Sequence, residues 1–384
     1  MVGKNKAAGP PSAPPANLVR EDVLLAPHTT LGVGGRARYF AECGSTAEVR
    51  DCLAWARERK LQVQVMGGGS NILFADEGFD GLVLKVALRG VAYADQGEWI
   101  LMRSGAGEDW DRLVRDCIRR GLGGIECLSG IPGLVGATPV QNVGAYGQEV
   151  KETVVRVEAI ERETLAEVAF TNAECGFSYR QSRFKSEDRD RHIITMVSFR
   201  LRARARACLR YPELQRHVEE SADLEHLESG APVLGAVRRA VLELRRGKSM
   251  VLDPADPNAR SAGSFFLNPV LSREEFGQFK KRCIAAGCGG EVPVFETSEG
   301  LKVAAAWLVE RAGFHKSYRR GGVGISSNHA LALVNRGGTS SDLLGLAGEV
   351  AAGVRETFGV RLEPEPVYVP PHGGPRGGSS QESG

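Results

Sequence analysis

Apolar positions recur at helical spacing in two N-terminal stretches. Val49, Cys52, Leu53 and Ala56 line one face of a helix expected from 46 to about 60, opened by the S-T-A-E capping box of Ser45 and Glu48. Trp110, Leu113, Val114, Cys117 and Ile118 line a second helix, EDWDRLVRDCIRRG, ended by Gly121. Between them a strand, QVQVM, runs straight into GGGSN at 67 to 71. Two short apolar runs then follow, separated by D-E-G-F-D-G turn chemistry, so the glycine loop joins strand to strand. Strands are expected again at TVVRVEAIE, around 193 to 201, and in the alternating RLRARARACLR, which reads as an arginine-faced strand at a charged edge.

From about 230 the pattern shifts toward helix. VLGAVRRAVLELRRGK and KVAAAWLVERAGF (about 302 to 314) are amphipathic, and HALALVN at 329 to 335 reads as a strand. Ser340 or Ser341 is the expected cap of a last helix, DLLGLAGEVAAGVRETFG, ended by Gly359, and VRLEPEPVYV reads as a closing strand. Strands and helices with few βαβ alternations predict an α+β protein. The expected boundary lies near 205 to 215, with the closing strand able to fold back on the first domain.

Composition narrows the function classes. The 384 residues carry a net charge of +2, with 42% hydrophobic and 25% charged residues, so nothing in the overall charge calls for nucleic acid. No apolar stretch nears the ~18 residues of a membrane span. The N-terminal MVGKNKAAGPPSAPPAN lacks an apolar core and reads as a disordered tail over 1–18; PPHGGPRGGSSQESG reads likewise over 370–384. Eight cysteines without C-x-x-C spacing predict reduced core thiols of a cytoplasmic protein, and seven scattered histidines predict no metal site.

Glycine is the outlier, with 48 residues. After a strand, GGGSN can bring bare backbone N–H groups to a diphosphate, or can simply be a tight hairpin turn. It fits neither the G-x-G-x-x-G fingerprint, which opens a helix, nor the P-loop. A second segment, 121 to 147, repeats glycine while keeping Ile131, Pro132, Val135, Val140 and Val143 apolar, unlike a disordered linker. Two such segments suggest a dinucleotide cofactor bound mostly through backbone. The candidate contacts are Gly67, Gly68, Gly69, Ser70 and Asn71 in the first segment. In the second they are Gly130, Ile131, Pro132, Gly133, Gly136 and Ala137, then Gln141, Asn142, Gly144, Ala145 and Tyr146. RSAGSFFLNPV, by contrast, reads locally as a turn: Ser264 lies between a glycine and a phenylalanine pair, outside any G-x-S-x-G frame.

VMGGGSNILFADEGFDGLVL, GIPGLVGATPVQNVGAYGQEV, CGFSYRQSRFK, SAGSFFLNP and LEPE occur in that order. Together they resemble the UDP-N-acetylenolpyruvoylglucosamine reductase (MurB) family from about Leu24 to Val369; GGGSN alone is shared with other flavoproteins of the vanillyl-alcohol-oxidase type. The resemblance implies an FAD-binding domain of that (PCMH) type over 19–205, with subdomains about 19–88 and 89–205. A smaller α+β substrate domain over 215–358 and a closing strand over 359–369 would follow. It implies non-covalent FAD reduced by NADPH, with hydride passing on to the enolpyruvyl double bond of UDP-N-acetylglucosamine enolpyruvate to give UDP-N-acetylmuramate. A cytoplasmic monomer is expected.

Three residues carry the chemistry that the resemblance implies. Hydride on the terminal methylene leaves negative charge on the neighbouring carbon, delocalised into the carboxylate. Arg180 in SYRQSRFK matches the group that holds that carboxylate, although alone it reads as a surface arginine. Glu365 in LEPEP matches the catalytic glutamate, with Pro366 in place of the usual aliphatic residue. Ser264 matches the proton donor; it is a weak acid, but position matters more when the carbon is strongly basic. Lys248, Asn268 and His329 match substrate or nicotinamide positions, each equally readable as a cap, turn or core residue, and Tyr179 is a further candidate substrate contact. Tyr211 in LRYPEL matches a tyrosine loop that closes over the uridine end in one of the family's two subtypes. The rival readings are a flavin alcohol oxidase on the same FAD domain and a nucleotide-binding module without catalysis. The glycine segments hold no His and only Cys127 for a covalent flavin tether, and the presence of Arg180, Ser264 and Glu365 weighs against a silent module.

Overall fold

A computed structural model describes residues 18–221, 229–288, 291–297 and 299–373; the expected terminal tails fall almost wholly outside these residues. The chain opens with β1 (Val19–Leu24) and β2 (Arg36–Cys43), then helix α1 (Thr46–Glu58) and β3 (Gln62–Met66). The glycine loop leads to β4 (Ile72–Phe74) and β5 (Phe79–Val86), strand to strand as the pattern predicts. A hairpin, β6 (Val91–Gln96) and β7 (Trp99–Gly105), precedes α2 (Trp110–Arg119) and the short β8 (Leu122–Gly123). The second glycine segment ends in a small hairpin, β9 (Gly144–Ala145) and β10 (Gln148–Glu149). Then come β11 (Val154–Glu161), β12 (Glu167–Thr171) and the long β13 (His192–Ala203).

Packing divides the chain discontinuously into two compact units. The first takes the described residues of 18–23, 37–68 and 80–241; the second takes 24–36, 69–79 and 242 onward. Besides the two-stranded β9–β10, the first unit holds two larger sheets among its described residues, ordered β1-β2-β5-β3 and β12-β11-β13-β7-β6. Its core joins the apolar faces of α1 and α2, with Trp110 5.9 Å from Phe199. Burying two such side chains contributes about 1.5–3 kcal/mol each. Ser45 caps α1 through the expected box with Glu48. RLRARARACLR is strand only as far as Ala203, because Arg204 adopts a left-handed φ of 48° that ends the ladder. Arg200 and Arg202 lie over the Trp99 ring, 5.0 and 5.7 Å from its centre.

After α3 (Pro212–Ser221), helix α4 (Ala231–Gly247) begins in the first unit and ends in the second. The second unit continues with β14 (Val270–Leu271), α5 (Arg273–Ala285), β15 (Val294–Thr297), β16 (Gly300–Val303) and α6 (Ala305–Arg311). β17 (Arg319–Arg320), β18 (Val323–Ile325), β19 (Leu333–Asn335), α7 (Ser340–Phe358) and β20 (Val367–Val369) complete it. Its core is aromatic, with Phe279, Trp307 and Phe358 in mutual ring contact. Lys302 and Val303 are strand, not helix: Lys302 pairs with Val270 and Phe295, and α6 starts only at Ala305. Only Leu333–Asn335 of HALALVN is strand.

The cap of α7 is Thr339, not either serine. Thr339 lies three residues before Asp342, the spacing a capping box needs, and its Oγ1 accepts from the Asp342 N–H. Ser340 and Ser341 instead donate their N–H groups to the Asp76 carboxylate at 2.7 and 2.9 Å. The closing strand is shorter than expected, Val367–Val369, and pairs in parallel with Ile72–Phe74, a segment that itself packs in the second unit.

Candidate active site

In the first unit the two glycine segments meet backbone to backbone. A Cβ on Gly68 would stand 3.2 Å from the Gly133 Cα, and one on Gly67 3.7 Å from Leu134. Ile131, Pro132, Gly133 and Leu134 are half-buried and form an apolar ledge beside them. Not every predicted contact residue keeps its polar groups for a ligand. Gly136 N–H donates to the Ala106 carbonyl and Ala137 N–H to that of Leu134, while Gly130 N–H donates to Asp111. Asn142 is fully buried, donating at 2.9 Å to both Glu149 and the Ser178 carbonyl and accepting from Lys151 N–H, so it braces the segment. Gln141 stays half-buried alongside.

The segment ends in the β9–β10 hairpin, with Tyr146 and Gly147 at positive φ. Tyr211 meets Tyr146 edge-on at 5.6 Å, and its neighbour Arg210 pairs with Glu152 at 2.9 Å. The tyrosine loop therefore packs on the Gly144–Gly147 hairpin, with Tyr211 still 37% exposed. Arg180 sits at the tip of a tight turn closed by Ser178 and Gln181, at a left-handed φ of 53°. Non-glycine residues held there cost about 1–3 kcal/mol and cluster at functional sites. Its Nη2 donates to the Gly144 carbonyl at 2.8 Å and its guanidinium lies 5.7 Å from the Tyr179 ring.

In the second unit Gly263 takes a φ of 73°, and no atom lies within 4 Å of where its Cβ would be. Phe265 and Phe266, both 2% exposed, anchor the turn, their rings 5.4 Å apart. Phe265 donates to the Leu331 carbonyl and accepts at its own carbonyl from Glu365 N–H at 2.8 Å; Leu267 N–H reaches the Glu363 carbonyl. This antiparallel crossing brings Ser264 and Glu365 to neighbouring positions on adjacent backbones. Pro364 and Pro366 have no N–H, so Glu365 supplies the only amide donor of that tripeptide. Asn71 closes the crossing: its Nδ2 donates to the Glu365 carbonyl at 3.2 Å and its own carbonyl accepts from Val367 N–H. Gly69 is wedged against the His28 carbonyl, and the Ser70 carbonyl accepts from Thr30. The GGGSN loop thus splits, 67–68 with the first unit and 69–71 with the second.

His329 Nδ1 accepts from Leu331 N–H at 3.1 Å, next to the same crossing. Burial, helped by Lys248 and Lys316, pulls His329 down to about 4, so it is neutral near pH 7 with its proton on Nε2. Asn268 accepts from Ala305 N–H and so caps α6. Lys248 follows α4 directly and is half-buried.

Comparison with known proteins agrees with both halves. Residues 37–164 match the FAD binding domain family, and 254–369 match the UDP-N-acetylenolpyruvoylglucosamine reductase C-terminal domain family. The UDP-N-acetylenolpyruvoylglucosamine reductase of Thermobifida fusca is 48% identical over 91% of this chain and 97% of its own. That of Streptomyces coelicolor is 46% identical, over 91% of this chain and 89% of its own. This chain belongs to the UDP-N-acetylenolpyruvoylglucosamine reductase family. The crystal structure of the family member from Thermus caldophilus, 26% identical, superposes with a TM-score of 0.61 and covers 91% of this chain and 99% of that one.

As a member of the reductase family the chain is an FAD-dependent oxidoreductase of peptidoglycan precursor synthesis. The first unit's residues fit that cofactor: Gly67, Gly68 and Gly133 leave the backbone there bare of side chains of their own, and Ile131, Pro132 and Leu134, which packs against Gly67 and Gly68, are apolar surface suited to a flat ring. Two features of this reductase escape sequence patterning. Asp111 reaches Gly130 N–H and is held by both terminal nitrogens of Arg238 at 2.6 and 2.7 Å. Asn258, 2% exposed, joins the loop after α4 to the 326–329 loop through Ser249, Ser327 and Arg336. An acidic residue in the first turn of α2 was the only visible sign of the first; nothing marked Asn258, whose partners other than the nearby Asp256 lie 9 to 78 residues away.

Proposed function

We propose that this chain reduces the enolpyruvyl ether of UDP-N-acetylglucosamine to the lactyl ether, UDP-N-acetylmuramate, with NADPH as the electron source. FAD, which the Gly67–Gly68 and Gly130–Leu134 backbone would hold, would supply the hydride chemistry between the nicotinamide and the substrate's terminal methylene. The residues of the chain then manage charge and one proton. Arg180 holds the substrate carboxylate as charge spreads into it, fixed in place by its grip on the Gly144 carbonyl. Glu365, protonated, donates a hydrogen bond to the enolate-like oxygen. Ser264 Oγ gives its proton to the carbon that bears the ether oxygen, completing the addition of one hydride and one proton. Lys248 meets the diphosphate as a point charge, His329 offers its Nε2–H, and Tyr179 and Asn268 line the approach. Tyr211 closes over the uridine end from the Tyr146 hairpin.

The observation that carries this reading is the backbone crossing that sets Ser264 beside Glu365. A flavin oxidase needs an acceptor for a substrate proton, not a donor hydroxyl next to a carboxyl group. We place this activity in a cytoplasmic monomer; among the described residues no helix is long and apolar enough to cross a membrane. The test is anaerobic. Yellow holoprotein should consume NADPH in proportion to added enolpyruvyl sugar and yield a product two hydrogens heavier. Peroxide formation from an alcohol, with no response to NADPH, would establish the oxidase instead.

A further inference from the structure

The Gly130–Leu134 ledge carries no polar side chain to hold it, and the N-terminal end of α2 supplies what does. The N-terminal end of α2 is laced to it: Trp110 N–H donates to the Gly133 carbonyl at 3.1 Å and Trp110 Nε1 to that of Leu128 at 3.1 Å. Val135 N–H reaches the Glu108 carbonyl, and Asp109 bridges to Leu134. Asp111, in the first turn of the same helix, adds the charged contact. One carboxylate oxygen takes Gly130 N–H and an Arg238 Nη, and the other takes the second Arg238 Nη. The Arg238 side chain is 14% exposed and that of Asp111 33%. Burial pushes the Asp111 carboxyl up, but Arg238 and Gly130 N–H outweigh it and hold it below the ordinary carboxylate range.

Gly130 and Gly133 both stand at positive φ, 73° and 120°. Such a turn is free in many conformations until something outside fixes it, and that ordering weakens any ligand that must do the fixing. We propose that the Asp111–Arg238 ion pair is a positioning element for the cofactor, presetting the Gly130–Gly133 turn through Gly130 N–H. The proposal rests on that turn being a wall of the FAD site. Asp111 touches the backbone of the wall, not the reaction, so its effect is on flavin affinity and on the flavin's surroundings.

The experiment titrates flavin-free protein with FAD and follows quenching of flavin fluorescence. Asp111→Asn, Arg238→Met, their double mutant, Arg238→Lys and Gly133→Ala are compared with the wild type. Losing a charge-assisted contact predicts an FAD Kd raised about ten- to hundredfold in each of the first two variants. The double mutant should be no weaker than the weaker single, since the pair acts as one unit. Arg238→Lys, which keeps the charge without the fork, should recover part of the affinity, and the bound-flavin absorption band should shift in the singles. A Kd within twofold of wild type for Arg238→Met and Arg238→Lys overturns the proposal, even if the Tm of the apoprotein falls. Should Asp111→Asn not fold, the two Arg238 variants alone decide. If Gly133→Ala also binds FAD like the wild type, the turn is not a wall of the site and the reading beneath the proposal fails first.

Discussion

The two units offer their candidate site residues in opposite materials. The first offers backbone: glycines that bring two loops within contact distance, braced from behind by Asp111 and Asn142. The second offers side chains, Ser264 and Glu365, on a crossing anchored by two buried phenylalanines. Backbone suits a cofactor that must be held flat and kept. Side chains suit a reaction in which one proton must leave one atom at one moment. Damage to the first half should therefore appear as lost flavin, and damage to the second as slow chemistry on retained flavin.

Arg180 tests that division most strongly, because it belongs to the first unit yet is assigned to chemistry. Arg180→Met should slow flavin reoxidation by the enolpyruvyl substrate about 10²–10³-fold, with flavin reduction and FAD content unchanged. Loss of FAD with normal reoxidation would make it a brace for Gly144 instead.

Glycines sharpen the same contrast. Gly68→Ala puts a methyl group 3.2 Å from the Gly133 Cα and should weaken FAD binding several-fold, about 1 kcal/mol by affinity titration. Gly263→Ala meets open space but a φ of 73°. It should cost about 1–2 kcal/mol of stability, seen as a lower Tm, and leave FAD binding untouched.

In the second unit His329 carries a pH effect. Free His329 would titrate near 6.5, and in the fold it titrates near 4. Between those values the unfolded chain carries more protons, so this stabilisation is complete above about pH 6.5 and is lost as pH falls toward 4. Up to about 3 kcal/mol is at stake, and His329→Asn should flatten that part of the stability–pH curve in urea titrations. An unchanged slope would place the buried proton elsewhere.

Much of the frame was legible in the sequence. The Ser45–Glu48 box, the apolar face of α2, and GGGSN joining strand to strand follow from local rules, because each depends on residues within a few positions. The failures have non-local causes. Lys302 looked helical by period, but β14 and β15 claim it. Ser340 looked like a cap, but Asp76, 264 residues earlier, takes its N–H. RLRARARACLR alternated correctly, yet one left-handed residue, Arg204, ended it. In the site, glycine clustering exposed the backbone half. Ser264, with no base or metal beside it in sequence, was visible only through resemblance, since its partner Glu365 arrives by a crossing formed 101 residues later.

Ser264, on the proposed reading, places a proton and not merely a turn. Stopped-flow traces of Ser264→Ala test it directly. NADPH should bleach the bound flavin at the wild-type rate, and the enolpyruvyl sugar should restore its colour about 10²–10⁴ times more slowly. Wild-type rates in both phases would contradict the account.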